Sequence, residues 1–326
     1  MNKPFYLFFV IAFAISTACC AQQNLVPNPS FEIHDSCPDN LTFIKYASPW
    51  FAPSDGTSDY FNECDINMAP LNQIGYQYAR TGNAYAGLLY LNLGSYDTYF
   101  EYISVKLLQT LKKSKKYTIK LFVSSADSIV YRYDGKRSTL SALASIGCLL
   151  SSNLPQWNGF GSPHSSSAES DSTVLLNDSV GWQQVNMSYC AKGDEQYLTI
   201  GFFRTKNNIK YHNLDSDGAV EAYYYIDDVS LTEYGDCFPE KLATIFTPNG
   251  DGINDVFYID TNAAEKINIQ IFNRWGNLVF ESTNKTLWDG NNNNGTPFSE
   301  GVYYYIVSFI NEGEQKNYKG FIQLVR

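Results

Sequence analysis

The chain has 326 residues and a formal net charge of −10, with 17% charged residues and no basic block longer than Lys112-Lys113-Ser114-Lys115-Lys116. That length leaves room for two domains and a leader, and the acidic balance argues against nucleic acid as a partner. Aromatic residues make up 16% of the sequence, with 25 tyrosines, and glycine and asparagine punctuate it throughout, a combination that favours strands over helices.

The first 21 residues have the layout of a secretory signal peptide. Lys3 supplies the positive end, and Phe5 to Ile15 is an apolar run too short to span a bilayer comfortably. Ser16-Thr17-Ala18-Cys19-Cys20-Ala21 is a small-residue cleavage region, with cleavage expected after Ala21 or close to it. Acylation at Cys19 is the alternative, although Ser16 stands where lipoprotein signals usually carry a branched apolar residue. No later apolar run reaches transmembrane length, so the mature chain is expected to have no membrane-spanning segment. Five cysteines remain, Cys37, Cys64, Cys148, Cys190 and Cys237. Export favours disulfides, and the odd number leaves at least one thiol free or paired outside the chain. Cys37 and Cys64 bracket one loop-rich segment and form the best pair. Cys148 and Cys190 lie on apolar strands and can pair or act as buried small hydrophobes, while Cys237 sits at a domain junction.

Residues 24–32 open the mature chain, and Pro27 and Pro29 restrict them to an edge strand or an extended lead-in. Residues 33–75 are loop-rich, with Trp50, Tyr60 and Phe61 among Pro, Ser, Asp and Gly. Strands are predicted after the turn at 79–84, at Glu101–Leu107, and at Tyr117–Val123, where Tyr117, Ile119, Leu121 and Val123 face inward. Further strands are predicted at Leu143–Leu150, Trp182–Tyr189, Glu195–Phe203 and Tyr223–Leu231, with the Ser/Asn/Pro-rich residues 151–180 as a long surface loop or a pair of poorly ordered strands. Many short strands without a convincing helix point to an all-β sandwich ending near residue 234.

The last 80 or so residues read differently. Phe246-Thr247-Pro248-Asn249-Gly250-Asp251-Gly252-Ile253-Asn254-Asp255 packs turn-forming residues between apolar ends. A half-buried strand, Ile267–Ile271, runs into Asn273-Arg274-Trp275-Gly276-Asn277. Trp288-Asp289-Gly290 and Gly301-Val302-Tyr303-Tyr304-Tyr305-Ile306 follow. This order resembles the gliding-motility-associated C-terminal domain of Bacteroidetes, the type B sorting domain of the type IX secretion system. The resemblance implies a small Ig-like β-sandwich over 243–326, read by the outer-membrane secretion machinery, with 235–242 as linker. It marks Pro248, Asn249, Gly250, Asp251, Gly252, Asn254, Asp255, Trp275, Gly276, Trp288, Asp289, Gly290, Gly301 and Tyr303 as the sorting signature.

A second resemblance covers residues 22–234. The opening Asn24-Leu25-Val26-Pro27-Asn28-Pro29-Ser30-Phe31-Glu32 and the closing Tyr225-Ile226-Asp227-Asp228-Val229-Ser230-Leu231 are similar to the ends of the galactose-binding-like jelly roll used by carbohydrate-binding modules. It implies a structural calcium held by Glu32 with Asp227 or Asp228. Sugar binding would use exposed aromatic faces, for which Trp50, Tyr60 and Trp157 are the candidates in polar loop surroundings. Catalysis has little support. His34, His164 and His212 lack metal spacing, no Gly-x-Ser-x-Gly elbow occurs, and adjacent strand acids such as Asp227 and Asp228 point to opposite faces. The expectation is a secreted or cell-surface, non-enzymatic protein, exported by type IX secretion, whose jelly roll binds carbohydrate or another surface polymer. A secreted polysaccharide hydrolase and a structural adhesin without a glycan ligand are the alternatives.

Overall fold

The computed structural model describes residues 22–92, 98–126, 128–130, 137–161, 165–204, 207–212, 220–237, 242–259, 266–283, 287–292, 294–311 and 314–326. Residues 1–21, where the signal peptide is expected, His164 and linker residues 238–241 lie outside them. The described chain is all-β apart from one 3-10 turn at Ile44–Tyr46. The first fourteen strands are β1 (Asp59–Asn62), β2 (Ala84–Asn92), β3 (Thr98–Phe100), β4 (Tyr102–Lys106), β5 (Lys115–Ser125), β6 (Ser128–Val130), β7 (Arg137–Thr139), β8 (Ala142–Leu143), β9 (Gly147–Ser151), β10 (Ala168–Glu169), β11 (Gln183–Cys190), β12 (Tyr197–Gly201), β13 (Tyr211–His212) and β14 (Val220–Asp236).

A large antiparallel sheet, ordered β1-β2-β14-β5-β11 with β3 beside β2, faces a second one ordered β10-β9-β12-β4. Alternation explains the layer between them. Tyr117, Ile119, Leu121 and Val123 of β5 point inward, as do Ala86 and Leu88 of β2, and they meet Ile103 and Val105 of β4 and Leu198 and Ile200 of β12 in one buried cluster. The predicted strand Leu143–Leu150 is divided: Leu143 pairs with Tyr211, whereas Gly147–Ser151 joins β12 in the second sheet.

Strand β14 is central, and both of its faces are buried. Tyr224 and Ile226 enter the main core, while Tyr223 and Tyr225 enter a smaller one on the opposite face of the large sheet. There they pack with Phe61, Tyr85, Met68, Ala69 and Ile74. The loop-rich segment after β1 is therefore not a loose surface excursion but the cover of the second face. It is fastened by the disulfide Cys37–Cys64. The opening segment runs beside the far end of β14, with Leu25 N–H donating to the Leu231 carbonyl at 2.9 Å and Val229 N–H to the Pro29 carbonyl at 2.9 Å. Its two prolines leave it as an extended lead-in rather than a strand.

The remaining strands are β15 (Ile245–Phe246), β16 (Phe257–Tyr258), β17 (Lys266–Phe272), β18 (Leu278–Thr283), β19 (Leu287–Trp288), β20 (Gly301–Asn311) and β21 (Glu314–Leu324). They form a five-stranded sheet, β15-β21-β20-β17-β18, and a two-stranded ladder of β16 with β19. Their core is separate: Trp288 and Phe257 from the ladder meet Ile267, Ile269, Ile271, Tyr303, Val307 and Ile322 from the sheet.

The Cys37–Cys64 bridge closes a loop with a sequence separation of 27. Replacing both cysteines by serine is expected to lower unfolding stability by about 3 kcal/mol through the larger entropy of the unfolded chain. Guanidinium denaturation checks this; an unchanged midpoint would show that packing alone holds the cover in place.

Candidate functional site

The three aromatic residues expected to stack on sugar do not form an exposed platform. Trp50 is 2% exposed and donates its indole N–H to the Asn28 carbonyl at 2.9 Å; Tyr60 is fully buried and donates to the Phe31 carbonyl at 3.0 Å. Both belong to the main core because residues 24–62 line it rather than loop over it. Trp157 is half-buried, edge-on to Tyr102 with ring centroids 5.1 Å apart, and bonded to the Gly161 carbonyl.

The acids expected to hold calcium do converge, but on a peptide turn. Glu32 accepts the N–H groups of Asn83 and Ala84 on one oxygen, at 2.9 and 3.0 Å. Asp227 accepts those of Arg80 and Thr81, at 2.8 and 3.2 Å. Asp228 accepts the hydroxyls of Ser30 and Thr81 and pairs with the Arg80 guanidinium. Neighbouring acids on a regular strand would diverge. Here the ladder to β5 shifts register after Asp227 and Asp228 has a φ of 50°, so both turn toward the same loop. The donor set does not fit a calcium ion. N–H groups already engage these oxygens, and a guanidinium stands where a cation would help. Among the described residues no group of three or more His, Cys, Asp or Glu side chains is arranged to hold a metal. Burial pushes the Asp227 carboxyl up to about 7, helped by the Asp228 charge. The hydroxyl and Arg80 bonds hold Asp228 below the ordinary carboxylate range against the burial that opposes them.

An exposed aromatic site does exist on the cover. Tyr76 and Tyr78 are 57% and 55% exposed, with ring centroids 5.4 Å apart and planes at 87°. Between them Gln77 is buried. Its N–H donates to the Pro70 carbonyl at 2.8 Å, its amide reaches Ser124 Oγ and the Gly181 carbonyl, and its own carbonyl accepts the Tyr85 hydroxyl. With the middle residue tied down, alternation turns both tyrosines outward. Trp182 flanks them, half-buried against the second core, with its indole N–H on the Tyr78 carbonyl. The tyrosine-glutamine-tyrosine alternation was the sequence signal, but the surrounding loop composition conceals the anchoring of Gln77.

In the last unit, most of the sorting signature is explained by folding. Asp255 accepts the N–H groups of Asn249, Gly250 and Gly252, at 3.0, 2.7 and 2.8 Å, and those bonds hold its carboxyl low. Gly250 and Gly252 have φ of 84° and 83°, and Asn254 has 54°, conformations that favour glycine and asparagine. Asn249 and Asp251 bond backbone two residues ahead, and Pro248 opens the loop. Trp288 is fully buried with its N–H on the Asn291 carbonyl, and Asp289 accepts the Asn291 N–H. Tyr303 is buried and donates to the Ser299 carbonyl. Gly276, Gly290 and Gly301 all have positive φ, and a Cβ on Gly290 would meet Leu324 at 2.8 Å. Trp275 is the exception, 75% exposed with the Arg274 guanidinium beside its ring.

Residues 241–324 match the CHU_C type IX secretion signal domain family. The type IX secretion signal indicates export by that route to the cell surface or the extracellular space, and interaction with its machinery. No helix among the described residues is long and apolar enough to cross a membrane. No curated protein matches the sequence. Among solved structures the chain is similar to one described as the tripod (BppUct-A-L) from the baseplate of bacteriophage Tuc2009, at 12% identity over 86% of this chain and 99% of that one. The TM-score is 0.24, too low for that likeness to carry an argument. On the secretion signal domain, an open groove of about 620 Å³ is lined by Phe272, Arg274, Tyr304, Ile306, Lys319 and Phe321, among others. Ladder pairing of Phe272 with Tyr304, and of Tyr304 with Phe321, sets three outward aromatic rings in a row across β17, β20 and β21.

One further cluster is buried in the first unit. Asp59 and Glu101 are 4% and 3% exposed, so neither is placed to meet a glycosidic bond in a cleft. Asp59 accepts the Thr42 N–H and the Tyr223 hydroxyl; Glu101 accepts from Thr57 and from the Leu89 N–H. The Tyr223 ring crosses Gly87, where a Cβ would lie 2.0 Å from its hydroxyl. Burial raises Asp59 to about 7 and Glu101 to about 8, with the Asp59 charge adding to the second. Both acids hold a proton more tightly folded than unfolded. Their contribution is thus fully present below about pH 4 and is lost as pH rises through 7 and 8. The thermal midpoint is expected to fall between pH 5 and 9, and Asp59→Asn to make that slope shallower. An identical slope in the variant would show that this pair is not its source.

Proposed function

We propose that the protein is an exported surface protein whose first unit, a jelly roll of the galactose-binding-like kind, binds carbohydrate through Tyr76 and Tyr78 rather than through Trp50, Tyr60 and Trp157. The carrying observation is the outward tyrosine pair on a loop anchored through Gln77. Two rings set nearly at right angles offer one face for a pyranose and one edge beside it, and rigid aromatic rings lose little entropy when they stack. The topology supports the jelly-roll reading, since the opening segment and the closing strand β14 run together as they do at the ends of that fold. In this reading the secretion signal domain delivers the protein, and the first unit holds it to a surface polymer.

A polysaccharide pull-down with the full chain tests this. Selective, saturable binding is expected, weakened at least tenfold by Tyr76→Ala with Tyr78→Ala, each removal of a stacking ring costing on the order of 1 kcal/mol. Because both rings are exposed, circular dichroism of the double variant should match the parent. Equal binding by parent and variant would dismiss the tyrosine site, and no binding to any polysaccharide would favour a structural adhesin.

A further inference from the structure

Five cysteines follow the predicted leader, and the Cys37–Cys64 bridge uses two. The other three differ sharply in surroundings. Cys148 is fully buried in the main core, out of reach of an oxidant in the folded protein. Cys190 ends β11 and Cys237 follows β14, and both are half-exposed.

The ladders bring these two ends together at the start of β5. Cys190 pairs with Lys116, and Asp236 pairs with Lys115 on the other side of the same strand. Directly paired residues share a face, and neighbours alternate, so Cys190 and Cys237 project from the same face of the sheet. It is the face away from the core, because Val185 and Met187 of β11 and Tyr117 of β5 point inward. Just before β5 the backbone folds back at Ser114, whose φ is 60°. There Ser114 N–H donates to the Ala191 carbonyl at 2.9 Å, and its own carbonyl accepts the Cys237 N–H at 3.0 Å. One residue thus staples the ends of both flanking strands. The Cys237 thiol lies in hydrogen-bonding contact with that of Cys190.

We propose that Cys190 and Cys237 form a second disulfide in the exported protein, tying the end of β14 to the end of β11 and leaving Cys148 as the one reduced cysteine. The oxidant is a disulfide, carried by a thiol oxidoreductase or a small molecule. One thiolate attacks it to give a mixed disulfide and one reduced sulfur. The second thiolate then attacks the mixed disulfide, so the Cys190–Cys237 bond forms as the oxidant leaves as two thiols. The half-exposed position gives the oxidant access, and the adjacent partner makes the second step intramolecular.

The test uses the full chain purified under reduction and then exposed to oxidised glutathione. Free thiols are alkylated before and after unfolding, and the chain is digested without reduction. A peptide joining Cys190 to Cys237 is expected, with Cys148 alkylated only after unfolding. Stable glutathione adducts at either cysteine, alkylation of both in the folded oxidised protein, or a bridge from either one to Cys148 would overturn the proposal. A Cys148→Ala variant should form the same linked peptide, which separates the bridge from any rearrangement through the buried thiol.

Discussion

Most of the first unit depends on the need to bury a strand on both sides. Strand β14 carries Tyr223, Tyr224, Tyr225 and Ile226 in succession, and no alternation of polar and apolar residues relieves it. One face is closed by the second sheet. The other requires its own cover, which the chain supplies from the segment after β1, fastened by Cys37–Cys64 and by the Gln77 bonds. Buried hydroxyls must then find partners. Tyr224 bonds the Leu176 carbonyl, Tyr225 reaches Asn72, and Tyr223 reaches Asp59. The last of these draws the Asp59 carboxyl into the interior, where its charge also raises Glu101, so the buried acid pair follows from the tyrosine run.

Regular alternation was legible in the sequence. The inward face of β5, the strand at Ile267–Ile271 and the all-β class follow from period-two patterning, and the type IX signal follows from its ordered turns. What escaped was context. Trp50 and Tyr60 stand among Pro, Ser and Asp and read as surface residues, yet their neighbours form a core wall whose backbone groups are satisfied locally. Asp227 and Asp228 read as diverging because alternation was assumed through a bulge that only tertiary pairing creates. Tyr76 and Tyr78 do not stand out in the sequence because their exposure rests on a glutamine whose partners, Ser124 and Gly181, are far away in the chain.

In the secretion signal domain, the signature residues split into two kinds. The glycines, Asn254, Asp255, Trp288 and Tyr303 set turns and fill the core. Trp275, together with Arg274, Tyr304 and Phe321 outside the signature, contributes nothing comparable to the interior and lies where another molecule could reach it. A sequence signature that looks uniform therefore records mainly how the domain folds, and only a fraction of it is available for contact.

The placement of β14 also has a mechanical meaning. The chain leaves the first unit at Asp236, the end of a strand that pairs with β2 only as far as Ile226 and with β5 from Tyr224 to Asp236. Tension arriving at Asp236 meets the β5 ladder first and reaches the β2 ladder only at Ile226. Freeing the strand therefore requires the β5 pairs from Asp236 back to Ser230 to open before the part flanked on both sides is reached. The first unit thus hands the chain on through the end of a strand that is central where it crosses the core and singly paired where it leaves it.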